Sequence, residues 1–386
     1  MSLGVAVVVL AAGGAYALGS SSATGQITAC VSHTGGVLYK ATTCEKHDTA
    51  LRWNRQGPRG RPGPTGSPPS PNLAQVATLA WWGARYRGDS YDFYGPVGLA
   101  FDGRHIWVAN LMGNSVTELN ANDGSWVRTL YGGSYGFDAP QGIAFDGRHI
   151  WVANLDGDSL TELNANDGSW VQTLAGGSYG FKVPWAVAFD GRHIWVTNAA
   201  GNSVTEVKAS TGSWIQTVSG GSYGFRVPRA LAFDGSHVWV ANIGGDSVTE
   251  LDATDGSWIQ TLSGGSYGFD QPDGVAFDGS HIWVTNVRAG SVTELSADDG
   301  SWIRTLSGGS YGFLSPHGIA FDGSHIWVVN DGGDSVTELK ASDGSWIQTL
   351  SGGSYDFGNP FGVAFDGSHV WVTNGGANSV TELPAG

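Results

Sequence analysis

Between residues 317 and 351 the chain alternates apolar runs with turns. "HGIAFDG", "SHIWVVN", "DSVTELKA" and "SWIQTLS" are rich in Val, Ile, Thr and Trp, and Asp-Gly or Gly-Gly pairs separate them. Such runs predict short β-strands joined by tight turns. The same four-part pattern recurs through residues 72–386. The Trp of its second piece falls at Trp107, Trp151, Trp195, Trp239, Trp283, Trp327 and Trp371, always 44 residues apart. Four short strands in a repeat of that length predict one blade of a β-propeller. The fold expected is therefore all-β, a seven-bladed propeller. The seventh unit stops after "SVTELPAG", one strand short. "LAQVATLA" (73–80) aligns with "SWIQTLS" and is expected to supply that strand, closing the ring and leaving no unpaired edge. "WWGARYR" (81–87) then reads as an insertion, with Trp81, Trp82 and Tyr86 forming a local cap or partner patch.

Composition agrees with strands and turns: 61 Gly, 17 Trp and only 14% charged residues. The charge divides the chain. Residues 1–71 carry six Lys and Arg against Glu45 and Asp48, a net of +4, whereas residues 72–386 carry 13 basic against 32 acidic side chains, a net of −19. So acidic a domain excludes nucleic acid as a partner. Residues 1–23 contain the apolar run "LGVAVVVLAAGGAYAL", which reads as a secretory signal cleaved after Ala17 or Ala23; the competing reading is an uncleaved membrane-anchoring segment. Residues 24–56 hold Cys30 and Cys44, the only cysteines, and an exported chain would join them as a disulfide stabilising by roughly 3 kcal/mol. Residues 57–71 form a Gly/Pro-rich linker with Gly57, Gly60, Gly63 and Gly66 at every third position, too short for a triple helix and expected to be an extended spacer. A secreted or bacterial cell-surface protein with a monomeric propeller is the expectation.

Two resemblances add to this. Residues 27–66 resemble the Cys-pair segment that precedes collagen-like tracts in some exported bacterial proteins, which implies surface display. Units such as "PWAVAFDGRHIWVTNAAGNSVTEVKASTGSW" (184–214) resemble bacterial YVTN/NHL-type propellers over residues 72–386. That resemblance implies the fold and leaves the function open.

Positions present in every blade serve the framework. His105, His149, His193, His237, His281, His325 and His369 form one such set, and the Asp of "FDG", Asp102 through Asp366, forms another. Seven identical acid–base dyads at seven separate places make poor catalysis, so each pair is expected to hydrogen-bond within its blade. The second-strand tryptophans are expected between blades, and the Glu of "VTEL" at the solvent side or bonded to a turn, not as a ligand.

Variation concentrates elsewhere. The residue after the proline that opens each innermost strand is Val97, Gln141, Trp185, Arg229, Asp273, His317 or Phe361. All seven belong to one face, around the mouth of the central channel, where loops on a rigid scaffold commonly bind. Arg229, Asp273 and His317 lie on consecutive blades, Trp185 and Phe361 would wall them, and Arg288 and Asp331 are expected to join from neighbouring loops. A per-blade alternative is sugar stacking on Tyr135, Tyr179, Tyr223, Tyr267 and Tyr311 in the "GGSYGF" loops, multivalent by repetition. "DGD" (156–158) and "DGGD" (331–334) do not complete a calcium loop.

The pattern points to a binding module, taking a protein, glycan or small-molecule ligand, with no catalytic residues, metal or cofactor assigned. The enzymatic alternative comes from the resemblance: virginiamycin B lyase-like propellers use a metal ion with histidines and a glutamate near the channel. The propeller region has one histidine, His317, outside the repeated position, and no varied Glu on that face.

Overall fold

The computed structural model describes residues 84–385 except Asp89, together with the backbone of short strands between Val8 and Asn54. Those strands belong to a separate unit, Met1–Trp82, in which Val8–Ala11 pairs with Ala15–Leu18, and Gln26–Val31 pairs with Leu38–Lys40 and Thr49–Asn54. The signal-segment side chains, the cysteine pairing, the linker, residues 73–80, Trp81 and Trp82 all lie outside the described residues.

The second unit is a ring of seven four-stranded antiparallel sheets. Blade one runs outward from the channel as Pro96–Phe101, His105–Asn110, Ser115–Asn120 and Trp126–Tyr131. The next innermost strands are Pro140–Phe145, Pro184–Phe189, Pro228–Phe233, Pro272–Phe277, Pro316–Phe321 and Pro360–Phe365. The last of these packs beside the first, so the ring is closed.

Each middle strand is covered on both faces by neighbouring blades, which explains its nearly continuous apolar pattern. Trp283, fully buried, packs with Phe313, Ile326, Val328 and Leu339 of the following repeat. All seven second-strand tryptophans are at most 1% exposed. Burying so large an apolar side chain contributes roughly 1.5–3 kcal/mol, so the inter-blade seams carry much of the stability.

The repeated polar residues tie the strands within each blade together. In blade five, Asp278 Oδ1 accepts the backbone N–H of Ser280 and His281, while Oδ2 accepts Trp283 Nε1 at 2.7 Å and His281 Nδ1 at 3.0 Å. His325 makes the same contact with Asp322 at 3.1 Å, and is structural as expected. The Glu of "VTEL" is a correction. It is buried, not solvent-facing: Glu206, 2% exposed, lies 3.2 Å from His193 and accepts Gln216 Nε2 at 2.7 Å. The cause is again the sandwiching of the blade, which removes the solvent face that strand alternation suggests.

Blade seven corrects the closing strand. Its three strands are completed by Arg85–Arg87, with Ser379 opposite Arg87, Val380 opposite Tyr86 and Thr381 opposite Arg85. This is the register that Ser335, Val336 and Thr337 keep with Ser351, Leu350 and Thr349. "RGDSYDFYGP" (87–96) thus stands where "SGGSYDFGNP" (351–360) stands in the last repeat, and "WWGARYR" is no insertion. Tyr86 is buried against Trp371 at a ring separation of 5.5 Å, and its hydroxyl donates to Glu382. Arg87 and Asp356 add an ion pair at 3.1 Å.

Candidate functional site

A β-bulge opens every innermost strand. In blade two Pro140 pairs with Asn154, the next pair is Ile143 with Val152, and Gln141 and Gly142 are left over. Blade four pairs Pro228 with Asn242 and resumes at Ala230, leaving Arg229 alone. A bulge frees a side chain from the in–out alternation and re-aims it. Here the seven freed residues line one cavity of about 210 Å³ at the channel mouth: Val97, Gln141, Trp185, Arg229, Asp273, His317 and Phe361.

Close backbone approach fixes the bulges. A Cβ on Gly274 would meet the His317 carbonyl oxygen at 2.2 Å, and one on Gly318 would meet that of Phe361 at 2.4 Å. Glycine is therefore required between these blades. Thr285 Oγ1 donates to the His317 carbonyl at 2.7 Å, locking the histidine backbone to blade five.

The three polar residues form one array. Asp273 Oδ2 accepts His317 Nδ1 at 2.7 Å, and Asp273 Oδ1 accepts Arg229 Nη1 at 3.2 Å. The Asp273 side chain is 5% exposed, so burial pushes its carboxyl up, but the His317 hydrogen bond and charge together with Arg229 outweigh that and hold it below the usual carboxylate range. Arg229 Cζ sits 4.1 Å above the Trp185 ring, a cation–π contact, and its buried Nε has no partner. The His317 ring lies 5.0 Å from that of Phe361. Asp331 Oδ2 is 3.9 Å from His317 Nε2, while Asp331 Oδ1 accepts Asn359 Nδ2 at 3.0 Å.

Most residues expected at the mouth are thus adjacent there. Arg288 is not: its side chain is 73% exposed and turns toward Asp270 at 3.9 Å. The loop tyrosines lie away from the channel mouth. Tyr267 stacks on Phe269 at 5.4 Å, half-buried against the inter-blade core, and Tyr135 and Tyr311 on Phe137 and Phe313 at 5.3 Å. One ring face is thereby taken. Tyr179 and Tyr223 also donate to the backbone carbonyls of Gly212 and Gly256. The turn acids are engaged as well, Asp158 Oδ1 accepting the Val183 N–H and Asp334 Oδ1 that of Asn359. Sequence reasoning missed the outer-strand tryptophans, Trp126, Trp170, Trp214, Trp258, Trp302 and Trp346, each 45–48% exposed. Their recurrence every 44 residues was the available signal.

The fold defines a seven-bladed β-propeller of four-stranded repeats. No family model matches the sequence, and no curated protein sequence matches it. Among solved structures, the chain is similar to virginiamycin B lyase from Staphylococcus aureus, with a TM-score of 0.65 at 15% identity over 78% of this chain and 99% of that one. It is similar to a streptogramin B lyase at a TM-score of 0.64 and 17% identity, over 79% and 98% of the two chains. Kuenenia stuttgartiensis hydrazine synthase aligns equally well, at 0.64 and 17% over 78% and 99%. At such identities the likeness is one of fold.

Proposed function

We propose that this chain is an exported binding module whose propeller captures a ligand at the channel mouth. The observation that carries the reading is the Arg229–Asp273–His317 array, flanked by Trp185 and Phe361 and gathered by bulges from successive blades. Asp273 neutralises Arg229, which leaves the remaining guanidinium N–H groups as donors, while His317, with Nδ1–H spent on Asp273, keeps Nε2 as an acceptor when the ring is neutral. The cavity of about 210 Å³ fits a small molecule or one protruding group of a larger one. A planar group bearing a carboxylate or phosphate would meet both the aromatic walls and the donors. The test is a thermal-shift and calorimetric screen of small aromatic carboxylates and phosphates on the full chain. Ligands that stabilise the wild type but not Arg229→Ala or His317→Ala support the site; ligands indifferent to both substitutions overturn it.

A second reading, proton-transfer catalysis of the lyase kind, is favoured by the 2.7 Å Asp273–His317 contact. It fixes Nδ1 as donor and leaves Nε2 as an acid or base toward the mouth. The metal used by the resembling lyases does not fit. The single mouth histidine spends Nδ1 on Asp273, the Asp273 carboxylate is shared between His317 and Arg229, and among the described residues no three His, Cys, Asp or Glu side chains stand together as ligands. Turnover of virginiamycin B or quinupristin by the wild type, lost in His317→Ala, would favour this reading.

A further inference from the structure

The six exposed tryptophans occupy one repeat position, the start of each outer strand. In blade four the ladder pairs Leu251 with Trp258 and then Glu250 with Gln260, so Ile259 is an extra, unpaired residue. The same shift recurs in blades one to six. Each indole is nevertheless held in place. Trp258 Nε1 donates to Thr261 Oγ1 at 2.9 Å, and that hydroxyl donates to the Tyr223 carbonyl of the preceding loop at 3.0 Å. The chain of bonds repeats from Trp126 with Thr129 to Trp346 with Thr349. The hydrogen-bonding edge of the ring is thus satisfied within the protein, and what remains for a partner is apolar ring surface.

A held, half-exposed aromatic ring whose N–H is already spent suits the C–H face of a sugar. Charge decides what kind. The propeller region is net −19, which repels acidic polysaccharides, nucleic acid and anionic membranes alike. A polar turn such as "NDGS" or "TDGS" precedes each indole, and a partly exposed aliphatic such as Ile215 or Ile259 follows several of them, so each blade presents one small apolar platform that recurs every 44 residues. Equal platforms repeated around a rigid ring match a ligand that repeats too. We infer that the outer-strand tryptophans are a multivalent binding site for a neutral polysaccharide, independent of the channel mouth. The loop tyrosines, with one ring face stacked on Phe, do not offer this.

The experiment is co-sedimentation of the full chain with regenerated cellulose and colloidal chitin, with affinity electrophoresis in soluble mannan and heparin. Wild type is compared with Trp258→Ala, with Trp170→Ala/Trp258→Ala/Trp346→Ala, and with Arg229→Ala, after circular dichroism and melting establish folding. Binding to at least one neutral glycan is expected, none to heparin, and full retention in Arg229→Ala. The single substitution should weaken binding severalfold and the triple one about 100-fold, since linked weak sites lose avidity together. Trp258→Phe, which keeps a ring, should retain more binding than Trp258→Ala if the triple variant fails to fold. No neutral glycan bound by the wild type, equal binding in the tryptophan variants, or preference for heparin would each overturn the inference.

Discussion

His317 and Asp273 sit 44 residues apart, one blade from the next, and their side chains meet at 2.7 Å beneath the channel mouth. Because the carboxyl is held low, Asp273 contributes stability above the ordinary carboxylate range, and that contribution is lost as pH falls through its depressed value. His317→Ala leaves the buried charge with Arg229 alone and should cost about 3 kcal/mol near neutral pH. Urea denaturation as a function of pH checks this. The gap between wild type and variant should narrow in acid, once the carboxyl is protonated in both.

The buried Glu206 behaves oppositely. Burial pushes its carboxyl up, against the lowering effects of Gln216 and His193. A raised group stabilises fully below its unfolded value, and that stability is lost as pH rises through the folded one. Glu206→Gln removes this dependence, so the variant should gain on the wild type as pH rises from the ordinary carboxylate range through the raised folded value, whatever its absolute stability. Melting temperatures across that range give the readout; a constant difference would contradict it.

Val227 precedes Pro228 at a φ of 51°, a left-handed conformation that β-branched residues avoid, and its N–H is held by Asn202 Oδ1 at 2.8 Å. Val227→Gly keeps that bond and relieves the strain. It should stabilise by about 1 kcal/mol, the usual scale of the left-handed penalty. Val183, at 53°, should respond likewise, and equilibrium denaturation of either variant decides.

The ring closure predicts a boundary. A chain beginning at Gly83 retains Arg85–Arg87 and should melt within a degree or two of the full protein. One beginning at Gly88 lacks that strand, leaves blade seven with an open edge, and should lose at least about 5 °C and aggregate more readily. If residues 73–80 closed the ring, the first truncation would already show the loss.

The blade count, the framework Asp and His and the convergence of Arg229, Asp273 and His317 were legible in the sequence, because near-identical repeats separate what every blade needs from what one blade carries. Three things were not. The closing strand departs from its siblings, "ARYR" standing where the last full repeat has "QTLS", so "LAQVATLA" looked the better match although "GDSYDF" beside "GGSYDF" holds the true register. The Glu of "VTEL" obeys strand alternation but not strand exposure, since both faces of a blade are interior. Arg288 follows its own loop toward Asp270, a side-chain direction that repeat position does not set.

Arg85–Arg87 is the propeller's entry and its clasp at once. Any tension on the chain that leads into the ring is delivered first to that three-residue strand at the outer edge of blade seven. Its bonds to Ser379–Thr381, the Tyr86–Glu382 contact, the Tyr86 bond to the Asp123 carbonyl of blade one and the Arg87–Asp356 pair would have to give way before force reached the rest of the ring. The joint that closes the circle is therefore also its mechanical fuse, and a tethered copy under load would fail there while the channel mouth stayed intact.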